Sequence, residues 1–295
     1  MAFVFLAAVT YLAVTFLAPR NGNSNQYHLS VTLIILITVT VLGLWMATCF
    51  SGLYAWLELD RYANMQAKDS DQKALHQLAS GVRFLAYGLL ISSIFSASGA
   101  YFAAGTTWSV LMSQLNYYII LLAPFLGFLW LREGSKRLAV SSQAALNLKA
   151  KIFTVGPPVL LLATFYIFLA ATNPGAGLAG PAAGPLAAFA LPVNIILVVS
   201  TWVLGLLAAL NIERATHGNT TLPPRPLVTL YNGILTMTGG FIILDALSSL
   251  GTTRLARLPL GVTVALLYAF IAVVGLGFVI VAASGRALLL AQKNG

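Results

Sequence analysis

Charge is what this chain has least of. Only 8% of its 295 residues are Asp, Glu, Lys or Arg, against roughly 25% in an ordinary soluble domain. With 59% hydrophobic residues and a mean hydropathy of +0.89, it cannot cover a globular surface with polar groups, and a soluble globular protein is excluded. Cysteine is nearly missing too. Cys49 is alone, so no intrachain disulfide can form, and in its apolar run it reads as a small packing residue. The apolar runs contain neither Lys nor His: His28, His76 and His217 all fall between them. That removes paired axial haem ligands, the clustered His of membrane di-iron enzymes and a retinal Schiff base. No Cys-x-x-Cys, Gly-x-Ser-x-Gly or Gly-rich phosphate loop occurs. Asp60, Asp69 and Asp71 lack the paired spacing of prenyl transferases and read as solvated loop residues. The expectation is no metal, no cofactor and no catalytic residue, with an enzyme disfavoured.

What the sequence does have is long apolar blocks. Eight are long enough to cross a hydrocarbon core of ~30 Å at 1.5 Å per helical residue: 2–18, 30–57, 82–104, 108–131, 152–172, 187–210, 227–250 and 259–283. The first lacks the basic start and small-x-small site of a cleaved leader and reads as a retained span. With the N-terminus inside, only Arg20, Arg254 and Arg257 of the 16 Lys and Arg fall outside, and all the others fall inside. This asymmetry fits the positive-inside rule and places both termini in the cytoplasm. The net charge of +9 is spread over helix ends rather than gathered in one patch, so its partner is the lipid bilayer and not nucleic acid. The expected fold is all-α: a polytopic integral membrane bundle of about eight transmembrane helices, a single domain over 1–295, in the cell (inner) membrane.

Two inner connections, 70–81 and 138–149, carry apolar residues at helical spacing and predict helices that continue past the membrane. The segment 217–226, HGNTTLPPRP, predicts a plain loop ended by prolines, and the Gly- and Pro-rich 173–185 an extended outer crossing. Asp60-Arg61-Tyr62 resembles the acid-Arg-Tyr motif of rhodopsin-like receptors, but it would close the second of eight helices rather than the third of seven. The other descending helices end in the same style, in WLREGSKR (130–137), LNIER (210–214) and ASGR (283–286). Anchoring at the headgroups explains all of them without a receptor, and explains their mutual likeness without a duplication.

Polar groups inside hydrocarbon ask for a partner or a purpose. Gln114, Asn116 and Tyr117 open the fourth block, Asn194 lies early in the sixth, and Asp245 near the outer end of the seventh. If their helices are neighbours they form a polar outer cup, and these five are the candidate ligand-binding residues. Below it lie bendable or close-packing positions: Pro124, Gly239-Gly240, and a ridge of Gly88, Ser92, Ser96 and Ala100. The function expected is a transporter or channel for a neutral or weakly charged small solute. The alternative is a non-catalytic subunit or sensor that docks other membrane or cytoplasmic protein subunits through its inner helix extensions. A lipid-modifying enzyme would instead need Glu58, Asp60, Arg61, Glu133 and Lys136 to meet at the inner headgroup level.

Overall fold

In a computed structural model, the residues described are 31–66, 68–101, 107–141, 187–218, 222–255 and 260–294, with further helical residues at 156–157, 159–161 and 163–164. They form six long helices: α1 (Val31–Met65), α2 (Asp69–Tyr101), α3 (Thr107–Ser141), α4 (Ala187–His217), α5 (Pro224–Leu255) and α6 (Leu260–Asn294). A chain this apolar has no water to satisfy its backbone, so it must close its hydrogen bonds within helices. Buried hydroxyls follow the same rule. Thr40, Thr48, Thr201 and Thr238 each donate to the carbonyl one turn back.

Helix ends obey local chemistry. Asp69 and Asp71 sit in the first turn of α2, where the N-terminal dipole favours an anion. Arg214 and His217 occupy the last turn of α4. Helix α5 begins at Pro224, inside the segment expected to be loop, because Pro in a first turn forfeits no helical hydrogen bond. The expected inner extension 70–81 is helical and continuous with the following span. Of the other, residues 138–141 continue α3 and the remainder lies outside the described residues. The blocks 2–18 and most of 152–172, and the crossing 173–185, also lie outside them.

The helices form a closed ring in chain order, with α6 packing back on α1. Neighbours are antiparallel except at two seams. Along α3 and α4, Phe128 sits beside Gly205 and Ser135 beside Asn211, so these helices run parallel. Along α6 and α1, Thr48 Oγ1 reaches the Ile271 carbonyl (3.2 Å) and Gln292 Nε2 the Met65 carbonyl (3.0 Å), so these run parallel too. The centre of the ring is filled by aromatic rings in series: Trp45 on Phe270 (5.9 Å), Phe270 on Phe241 (6.4 Å) and Phe241 on Phe128 (5.6 Å).

The two seams divide the ring into halves, α1–α3 and α4–α6, and the halves repeat each other. Gly81 packs on Leu131 and the Gly127 carbonyl; Gly233 packs in the same way on Val281 and the Gly277 carbonyl. Gly88 faces Ala123 as Gly240 faces Val273 and Val274. Gly52 lies against Ala86 and Phe278, Gly205 against Thr238 and Phe128. These partners stand roughly 150 residues apart in sequence throughout. The sequences agree: GLYAWLELDR (52–61) lines up with GLLAALNIER (205–214), and Leu-Gly-Phe recurs at 126–128 and 276–278. A half-turn about the bundle axis carries one half onto the other.

Candidate functional site

Some polar contacts occur in one half alone. Ser92 Oγ donates to Asn116 Oδ1 across α2 and α3 (2.7 Å); the matching positions in the second half are Leu244 and Leu266. Trp202 Nε1 on α4 donates to Asp245 Oδ2 on α5 (2.7 Å), where the first half has Cys49 and Ser93. Asn194, 5% exposed, matches Val41. Of the five candidate residues, Asn116 and Asn194 therefore lie at one level on adjacent parallel helices, and Asp245 lies deeper by about a turn. The side chains of Gln114 and Tyr117 fall outside the described set. Two partners are not among those candidates: Ser92, read as a packing residue of a small ridge, and Trp202.

Beneath Asn116 a cavity of ≈ 40 Å³ lies at the centre of the ring, lined by Trp45 of α1, Leu85, Gly88, Leu89 and Ser92 of α2, Ile119, Ile120 and Pro124 of α3, and Phe241 and Leu244 of α5. Leu89 and Phe241 are repeat partners, as are Ser92 and Leu244, so the cavity sits close to the axis between the halves. Its lining holds no charged group. Trp45, in its wall, has a buried Nε1 with no hydrogen-bond partner among the described residues. The second half has Val198 at that position.

At the end of the bundle that carries Arg61, Glu133 and Arg286 the charges do not gather into one site. Glu58, 5% exposed, is held by Arg61 (3.4 Å) and packs on Gly285 of α6. Asp60 meets His76 Nδ1 (3.0 Å). Glu133 pairs with Arg132 on α3. The cluster a lipid-modifying enzyme would need is thus split: Glu58 with Arg61 on α1 against α6, Asp60 between α1 and α2, and Glu133 on α3. Among the described residues, no group of three His, Cys, Asp or Glu is placed to hold a metal.

Six helices are long and apolar enough to span a bilayer, and together they make this a multi-pass membrane protein. No family model, curated protein or solved structure matches the chain.

Proposed function

We propose that the protein is a transporter for a neutral or weakly charged small solute, in which the two halves rock about their common axis and open a central site to each face in turn. The observation that supports this is the repeat with a cavity on its axis. Secondary transporters are commonly built from two repeats, in one class related by an axis along the membrane normal, with the solute at their interface near mid-membrane. The cavity lining carries no charged group, which suits a neutral solute. At ≈ 40 Å³ it has room for about one or two waters, so it represents the closed arrangement and a solute enters when the seams part. Gln114, Asn116, Tyr117, Asn194 and Asp245 form the outer approach. The end bearing Arg61, Lys136 and Arg286 faces the cytoplasm of the cell membrane, as do both termini.

The alternative, a subunit or sensor docking partners by its inner helix extensions, has less to draw on. Tyr62, Ala63, Leu75, Leu78 and Leu138 on those extensions are at most 3% exposed, so their apolar faces are already used within the bundle.

The test is a seam lock. Ser135 and Asn211 lie near the inner ends of α3 and α4, with side chains 3.2 Å apart. In a Cys49→Ser background, Ser135→Cys with Asn211→Cys should form a disulfide that holds the inner mouth shut. Liposomes containing the purified protein are offered labelled glycerol, urea, a hexose and a neutral amino acid. Uptake of one of these that stops on oxidation and resumes on reduction is expected. Uptake of none of them, or uptake indifferent to the lock, would sink the proposal.

A further inference from the structure

We propose that the cleft between the α1–α2 turn and the inner end of α3 binds a phosphate group, presented by an anionic lipid headgroup or by a free phosphate ester. The cleft measures ≈ 600 Å³ and is lined by Lys68, Lys73, Lys136 and Arg137, with the hydroxyls of Ser70 and Ser141 and the acids Asp69 and Glu133. The acids are spoken for: Asp69 takes Lys73 (2.6 Å) and Glu133 is paired with Arg132, which does not line the cleft. Lys68 stands 4.0 Å from Asp71. Lys136 and Arg137 are exposed and have no carboxylate within salt-bridge distance among the described residues. The cleft therefore presents two unneutralised cations, both on α3, across a space of headgroup size from the ion-paired Lys68 and Lys73.

Basic residues at inner helix ends need no ligand to explain them, since membrane orientation and the helix C-terminal dipole both favour them. The repeat supplies an internal control for that objection. Both forces act equally on the second half, where Lys73 is matched by Arg225 and Lys136 by Arg286. Beyond that shared pair, the first half adds Arg137 where the second has Ala287, Ser70 and Ser141 where it has Leu222 and Ala291, and Lys68 in a turn whose counterpart (218–223) holds no basic residue. The first half also adds acids there, Asp69 and Glu133 where the second has Thr221 and Ala283, and Arg83 and Arg132 outside the cleft where it has Leu235 and Ala282. The added cations Lys68 and Arg137 and both added hydroxyls nonetheless line this one cleft. They are the groups a phosphate takes: a guanidinium fork, ammonium point charges and hydroxyl donors. Basic pockets between transmembrane helices at the inner leaflet are established headgroup sites.

The experiment uses the full chain in neutral detergent and follows its thermal midpoint with dihexanoyl-phosphatidylglycerol, dihexanoyl-phosphatidylcholine or glycerol 1-phosphate at matched ionic strength. Phosphatidylglycerol should raise the midpoint by a few degrees, as a ligand of the folded state does, and phosphatidylcholine should not. The double variant Lys136→Gln/Arg137→Gln should need roughly tenfold more phosphatidylglycerol or lose the shift, while Arg225→Gln/Arg286→Gln keeps it. An equal shift with glycerol 1-phosphate assigns the site to a soluble ester; a shift with the lipid alone assigns it to a headgroup. No shift with either, an equal shift with phosphatidylcholine, or equal loss in both double variants overturns the proposal. None of these readouts depends on transport, so the site stands or falls apart from the function proposed above.

Discussion

At the scale of single residues, tryptophan carries more than its ring. Trp45→Phe keeps a ring against Phe270 and deletes an N–H that has no partner among the described residues. Removing an unsatisfied buried donor relieves a desolvation cost of about 1–3 kcal/mol. The variant should unfold in detergent at the same or a higher temperature than the parent, yet lose solute uptake. A clear loss of stability would show that the N–H is used within the protein. Trp202 is the opposite case, since its N–H holds Asp245. Trp202→Phe should cost about 1–3 kcal/mol, and Asp245→Asn less, because an amide oxygen can still accept. Denaturant titration of the two variants reads the order directly. Asn116, Asn194 and Asp245 could be picked from the sequence because a polar group in an apolar run stands out. Ser92, Trp45 and Trp202 could not, because a small or aromatic residue in such a run looks like packing until its neighbour is known.

At the scale of helices, close approach matters more than flexibility. Gly239 and Gly240 were singled out together as a bendable pair, but their surroundings differ. A Cβ at Gly239 would meet nothing within 4 Å, whereas one at Gly240 would come within 3.1 Å of the Val274 backbone nitrogen and closer still to its side chain. Gly239→Ala should be neutral or stabilising by up to roughly 1 kcal/mol, the helix preference of Ala over Gly. Gly240→Ala should cost about 1–3 kcal/mol, because α5 and α6 must move apart. Thermal midpoints of the pair decide it, and equal effects would count against the packing account. The positions of the described helices were legible from hydropathy, because length and apolarity are properties of one segment. Their ends were less so: α1 and α4 run on to Met65 and His217, well past the apolar blocks. There the helices are held by packing against one another, which no single segment reveals.

The repeat belongs to the scale of the whole molecule. The likeness of the descending helix ends had an adequate local cause in headgroup anchoring, and that cause hid the duplication. The buried positions show it, since Thr48 and Thr201, or Gly52 and Gly205, lie where no headgroup reaches. The seams test the equivalence of the halves most sharply. At one seam Asn211 Nδ2 donates to Ser135 Oγ (3.2 Å). At the other, the matching residues are Glu58 and Gly285, and a Cβ on Gly285 would lie 3.0 Å from the Glu58 Cβ and 3.2 Å from the Leu59 nitrogen. Gly285→Ser alone should therefore destabilise, by about 1–3 kcal/mol for overpacking a filled contact. Adding Glu58→Asn copies the Asn211–Ser135 pair into this seam, and the double variant should regain part of the loss, with a coupling of about 0.5–3 kcal/mol between the two sites. A double-mutant cycle on unfolding measures that coupling. If the two substitutions simply add, the seams are not interchangeable, and the half-turn relating the two halves of this bundle fails at the contact where it makes its strictest demand.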